Sequence, residues 1–169
     1  MSEDTSMIDD LVARARAAQA AYEAMGSQDL FDKACQAAAW VLMQPERNRA
    51  LAEMAVEETG LGNADDKVRK NHNKTLGLMR DIKDITAFGH VEDDDENGLS
   101  IYYRPKGVIA AVVPSTNPLA TPVNNTINAL KTGNAIILAP SPKGVKPLLA
   151  LFEHIHPALA KLGLPEDLV

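Results

Sequence analysis

The chain has 169 residues, 46% of them hydrophobic and 24% charged, enough for one globular domain with a real core. Its net charge of -6 argues against a nucleic-acid binder, which needs a basic face, and no apolar run approaches the length of a membrane span. A single cysteine, Cys35, excludes an internal disulfide or a cysteine-rich zinc site and fits a reducing, cytoplasmic setting. The opening MSEDTSMIDD is acidic and has no apolar core, so no secretion signal is expected.

The first half reads as helices. Ile8, Leu11, Val12, Ala15, Ala18 and Tyr22 form an apolar stripe at helical spacing. Gly26 breaks it, and Ser27 suits the cap of a second helix carrying Leu30, Phe31, Ala34, Ala38, Val41 and Leu42. Cys35 sits among these residues, which marks it as a small core side chain rather than a nucleophile. Pro45 suits the first turn of a third helix, where its missing N–H costs nothing, and the glycines of TGLGN stop that helix. A fourth helix is expected from about Asp65 to Ala87. The acidic HVEDDDENG does not have the spacing of a calcium-binding loop and reads as a solvated turn. LSIYYRP then alternates and is rich in β-formers, so it reads as a strand.

From Val108 the pattern changes. A buried strand (108–113) leads to a helix (118–131), and KTGN ends that helix with glycine at the stop position. A second buried strand (135–139) leads to a second helix (142–161), and LGLPEDLV reads as the start of a third strand. This β-α-β-α order with short connections predicts an α/β fold: N-terminal helices followed by part of a doubly wound parallel sheet. The expected organisation is a helical part over 1–97, a strand over 98–106 and the β-α-β-α unit over 107–169. Two parallel strands make too small a sheet, so the chain is expected to be the front portion of a longer protein and marginal on its own.

Both strands of that unit end between prolines. The first runs into Pro114-Ser115-Thr116-Asn117-Pro118 and the second into Pro140-Ser141-Pro142. Asn117 and Ser141 are favoured helix caps, each followed by proline at the first helical position. The crevice at the carboxyl ends of parallel strands is also where ligands bind, and helix N-termini there suit an anionic or polar group. An asparagine on such a turn can aim its amide at a developing oxyanion. No G-x-G-x-x-G follows either strand, so a nucleotide here would be held without the glycine turn. His72, on the fourth helix, reads as structural. His154 and His156, two apart on a helix, face different ways, so no metal is expected.

RPKGVIAAVVPSTNPLATPVNNTINALKTGNAIILAPSPKG resembles the corresponding segment of the aldehyde dehydrogenase superfamily, most closely its CoA-acylating branch. That branch, which includes the acetaldehyde dehydrogenase part of bifunctional aldehyde-alcohol dehydrogenases, has V-P-x-T-N-P where ordinary members have P-W-N. LAEMAVEETGLGNADDKVRKNHNK is similar to the same branch, and the resemblance spans about Ile8 to Val169. It implies that a cysteine thiolate attacks an aldehyde, that hydride passes to NAD or NADP, and that coenzyme A then takes the acyl group. It implies catalytic work for Asn117, as the amide that stabilises the oxyanion. It implies cofactor contacts from Val113, Pro114, Ser115 and Thr116 on the nicotinamide side and from Ala139, Pro140, Ser141 and Pro142 beside the adenine ribose. The aldehyde stays open, with acetaldehyde-type and sulfoacetaldehyde-type members of the branch as candidates. LSIYYRP is similar to the arm that bridges subunits in the superfamily, which implies a homo-oligomer.

The sequence departs from the commoner pattern in two places. Ordinary members have K-P-S-E where this chain has Ala139-Pro140-Ser141-Pro142, so the lysine and glutamate that contact the ribose are missing and the choice between NAD and NADP is open. Lys143 and Lys146 offer charge nearby but read as solvated helix lysines. The family's catalytic cysteine also lies beyond Val169, so these residues alone are expected to be inactive. The rival expectation is a non-catalytic binding or assembly module that retains the fold, with its first amphipathic helix docked on a partner.

Overall fold

The computed structural model describes residues 3–169. Four helices come first: α1 (Glu3–Met25), α2 (Gln28–Met43), α3 (Pro45–Thr59) and α4 (Ala64–Ile82). Their starts follow local chemistry. Ser27 Oγ accepts from the Leu30 N–H at 3.0 Å, Asn63 Oδ1 accepts from the Asp66 N–H at 2.9 Å, and Pro45 occupies the first turn of α3. α3 ends on Gly60, whose φ of 68° suits a residue without Cβ. α2 is the central element, packed against α3, α4 and the later helices α5 (Ala120–Lys131) and α6 (Val145–Ala160), and it buries Phe31, Ala34, Cys35, Ala38, Val41 and Leu42. The expected stripe on α1 is buried at Ala15, Ala18 and Tyr22 but not at Ile8, which is exposed.

α4 stops at Ile82 rather than Ala87. The Ala87 N–H is taken by Gln28 Oε1 at 2.7 Å, and the Phe88 ring packs edge-on against Phe31 at 4.9 Å. The chain therefore leaves the helix to plug the core. The acidic segment after it is not a simple loop. Gly89–Asp94 forms β1, which pairs antiparallel with β2 (Leu99–Tyr103), with a bulge between His90 and Glu92. The carboxylates that disguise this strand are used in the hairpin: Asp93 accepts from Ser100 Oγ across the ladder at 2.6 Å, and Asp94 accepts from the Asn97 N–H at 3.1 Å in the turn.

β3 (Val108–Val113) and β4 (Ala135–Pro140) pair in parallel, Val108 opposite Ala135 and Val113 opposite Pro140, joined by α5 (Ala120–Lys131). α1 and α5 pack on this pair. β3 was expected to be buried, yet Ala110 is exposed and Val112 is 83% exposed, because nothing in the described chain covers that face. After β4 come a 3₁₀ turn (Pro142–Gly144) and α6 (Val145–Ala160). The final segment is a 3₁₀ turn (Glu166–Leu168), not a third strand. Pro165 starts it, its carbonyl accepts from the Leu168 N–H, and the Leu168 side chain is fully buried, while Asp167 pairs with Arg14 of α1.

The turn from α5 into β4 gathers the elements. Gly133, at φ 73°, lies so close to its neighbours that a Cβ there would come within 2.8 Å of Pro105 and 2.9 Å of Phe31. Asn134 Oδ1 accepts from the N–H groups of Lys106 and Gly107 at 2.6 and 2.8 Å, fixing the entry to β3. Gln19 donates to the Gly133 carbonyl at 3.1 Å and Tyr22 to the Leu130 carbonyl at 3.1 Å, which attaches α1. Gly133→Ala combines an unfavourable left-handed φ with overpacking against Phe31 and Pro105. It should cost about 2–4 kcal/mol in denaturant unfolding of the natural protein; a loss below about 1 kcal/mol, the cost of a strained turn alone, would show that the close approach is not enforced.

Candidate active site

The carboxyl ends of β3 and β4 are tied together by the Ser141 N–H, which donates to the Val113 carbonyl at 2.9 Å. Val113 itself is 1% exposed, so the strand end is anchored in the core and the polar residues after it are displayed from a fixed point. The Asn117 N–H donates to the Pro114 carbonyl at 3.3 Å, closing the turn over Ser115 and Thr116. Pro114 and Thr116 are exposed, Ser115 and Asn117 half-buried. Lys70 Nζ, from α4, makes a long 3.5 Å contact to the Thr116 carbonyl, so a third element reaches the turn.

Asn117 is not the cap of α5. The helix begins at Ala120, with Leu119 in the cap position and no side-chain cap. Pro118 and Leu119 are both buried, and seating them moves the helix start two residues on from the position the Asn-Pro pair suggests. The Asn117 amide instead donates from Nδ2 to Thr121 Oγ1 at 2.8 Å. The second turn behaves similarly. Ser141 precedes the 3₁₀ turn but makes no capping bond, and its Oγ is buried without a hydrogen-bond partner among the described residues. A Cβ on Gly144 would meet that Oγ at 3.1 Å, Pro118 Cβ at 3.6 Å and Pro140 Cβ at 3.7 Å. The two proline-bracketed turns thus pack against one another through Gly144, and Ser141 turns its hydroxyl inward. What that turn leaves outward is Ala139 and Pro142, both exposed, with Pro140 half-buried.

A nucleotide suits this arrangement in a particular way. Neither α5 nor the start of α6 has a side-chain cap, so the first N–H groups of both are unclaimed by side chains at the same end of the sheet. The Ala139–Pro142 turn offers apolar contact and backbone rather than side-chain donors. Lys146, one of the two lysines beside it, is held by Glu58 of α3, which raises its pKa, while Lys143 is exposed.

The remaining candidate residues fall elsewhere. Cys35 is 1% exposed, and its Sγ lies 3.3 Å from the Ile127 carbonyl. Burial, with the Asp32 carboxylate adding to it and Lys131 opposing, pushes the thiol up to about 12. His72 is exposed on α4; the buried member of its motif is Asn71, which donates to Asn48 Oδ1 at 2.9 Å while Asn48 donates to the Val68 carbonyl at 3.0 Å. His156 stacks on Phe152 at 4.8 Å, and His154 lies beside Arg47 between α3 and α6, its pKa lowered by burial and by that charge. Among the described residues, no three His, Cys, Asp or Glu side chains converge to hold a metal ion, and no helix is long and apolar enough to cross a membrane. Reading the sequence did not single out Thr121, Lys70 or Gly144. Only Thr121 carried a signal, its i+4 spacing from Asn117.

Two parallel strands, with the turns at their carboxyl ends packed together and helices around them, make up a helix-rich α/β fold. The chain belongs to the aldehyde dehydrogenase family, whose model matches residues 2–169. It is 55% identical over 159 residues to the acylating sulfoacetaldehyde dehydrogenase of Cupriavidus necator, covering 94% of this chain and 32% of that protein. Among solved structures it is similar to an acetylating aldehyde dehydrogenase from Geobacillus thermoglucosidasius (TM-score 0.88, 32% identity, 96% of this chain and 35% of that one). It is also similar to the Rhodopseudomonas palustris propionaldehyde dehydrogenase with bound propionyl-CoA (TM-score 0.80, 34% identity, 95% and 35%). The chain spans about a third of the length of the curated relatives it matches, and it lacks their catalytic cysteine region.

The burial of Cys35 gives a direct expectation. At neutral pH its thiolate is almost absent, and the side chain is closed to reagents. Peptide-level mass spectrometry of the folded natural protein with iodoacetamide should find Cys35 unlabelled under conditions that label it fully in denaturant. Rapid labelling in the folded state would overturn its placement in the core.

Proposed function

We propose that the polypeptide containing this chain is an NAD(P)-dependent, CoA-acylating aldehyde dehydrogenase: aldehyde, CoA and NAD(P)+ give acyl-CoA, NAD(P)H and a proton. The observation that carries this reading is Asn117, whose amide stands at the end of β3, free of any capping duty, beside two helix starts without side-chain caps. With one Nδ2 hydrogen on Thr121, the other can be donated to an oxygen that gains negative charge when a thiolate adds to the aldehyde. The thiolate comes from a cysteine outside this chain, so these residues by themselves are inactive. Bound nucleotide supplies the hydride acceptor and CoA the acyl acceptor. Val113–Thr116 would line the nicotinamide side, and Ala139–Pro142 would support the adenosine by apolar contact and backbone.

The similarity to an acylating sulfoacetaldehyde dehydrogenase makes sulfoacetaldehyde the first small aldehyde to assay, with acetaldehyde as the comparison. The β1–β2 hairpin, over residues 89–103, would bridge subunits of a homo-oligomer through the exposed Leu99, Ile101, Tyr102 and Tyr103. The single, reduced Cys35 suits a cytoplasmic setting.

Because Asn117 does not cap α5, its loss separates catalysis from stability. In the natural full-length enzyme, Asn117→Ala and Asn117→Asp should both melt near the wild type while kcat for CoA-dependent aldehyde oxidation falls by roughly 10²–10³. A carboxylate at this place repels the developing charge, so near-normal turnover in Asn117→Asp would falsify the oxyanion role.

A further inference from the structure

Among the described residues the Asn117 side chain has no backbone partner; the bond that orients its amide runs to Thr121 Oγ1 at 2.8 Å. An asparagine side chain has two rotatable bonds, and a half-buried amide with no anchor samples several orientations. Thr121 lies in the first turn of α5, and that turn is rigid: Leu119, Ala120, Pro122 and Val123 are buried around it. A helical threonine has two accessible χ1 rotamers, and Thr121 adopts one that turns its Oγ1 to the Asn117 amide. The hydroxyl is thus a fixed post, one helical turn from the amide it holds, and the Pro114–Asn117 turn keeps the Asn117 backbone still from the other side.

We propose that Thr121 is a positioning residue for the oxyanion donor: its Oγ1 binds one N–H of Asn117 and so directs the other at the reacting oxygen. The inference rests on the proposed catalytic role of Asn117. Thr121 touches neither substrate nor cofactor in this scheme and acts only through the amide. Threonine fits the task better than its isostere valine, which fills the same volume with no acceptor. Serine keeps the acceptor with less volume.

The experiment is a double-mutant cycle in the natural full-length enzyme, with Thr121→Val, Thr121→Ser, Asn117→Ala and Asn117→Ala/Thr121→Val compared for kcat, for KM and by thermal melting. Thr121→Val should lower kcat roughly tenfold, less than loss of the donor itself, and leave both KM values within about two-fold. Thr121→Ser should recover most of that loss. The double variant should be no slower than Asn117→Ala alone, since Thr121 has nothing to orient once the amide is gone. A structural contribution from Thr121 would instead add its loss to that of Asn117→Ala and would lower the melting temperature in both backgrounds. Retention of kcat in Thr121→Val, failure of serine to rescue, or additive losses in the double variant each overturn the proposal. Should Thr121→Val fold poorly, Thr121→Ala replaces it in the same cycle. A drop in Asn117→Ala with none in Thr121→Val sinks the positioning role alone, whereas an undiminished Asn117→Ala sinks the oxyanion reading on which it rests.

Discussion

The five residues Leu130–Asn134 are the constraint on which the rest of the structure depends. Gly133 permits backbone to pass within touching distance of Phe31 and Pro105, and Asn134 then binds two N–H groups of the segment entering β3. The carbonyls of Leu130 and Gly133 are claimed by Tyr22 and Gln19 of α1. One turn therefore joins the first helix, the central helix, the start of β3 and the start of β4. Parallel strands cannot register themselves through a tight hairpin, because a whole helix intervenes. Here a side-chain clamp aligns them at their amino ends, and the Ser141–Val113 bond closes the pair at their carboxyl ends.

That alignment also fixes the far end of the sheet. With Val113 buried and the two turns in contact through Gly144, the polar residues that follow β3 have few ways to move. A donor aimed at a transient charge acts best when its orientation is settled before the charge appears. The prolines contribute by fixing φ, and Pro118 contributes more by being buried, since its seat beside Gly144 sets where α5 begins. The hydrophobic core and the geometry of the proposed site are in this respect the same arrangement.

Charge is handled differently inside and outside the core. Lys131, only 5% exposed at its side chain, lies 2.6 Å from Asp32, so a buried ammonium is neutralised where α2 meets α5. Cys35 lies close to that pair and stays protonated by burial, which keeps a second nucleophile out of a protein whose proposed chemistry needs a single one. The hairpin β1–β2 stands at the other extreme, with a strand, β2, exposed at every position. Asp93 and Asp94 are satisfied within the hairpin, while Leu99, Ile101, Tyr102 and Tyr103 are exposed.

The sequence by itself determined the four N-terminal helices, the β-α-β-α order after Val108, the cap at Ser27, the first-turn proline of α3, the core role of Cys35 and the family, because each is written in local residue types or in contiguous motifs. It also marked the two proline-bracketed turns as the place to look for chemistry. It did not determine that β1 exists, since pairing is a property of two segments and the acidic residues of one conceal it. It did not determine the end of α4, the exposure of Val112 or the turn at Leu168, which depend on what packs against them. Above all, Asn117 reads as a cap from its neighbours in the chain. Only the tertiary structure, by burying Pro118 and Leu119 and starting α5 at Ala120, released its side chain to Thr121.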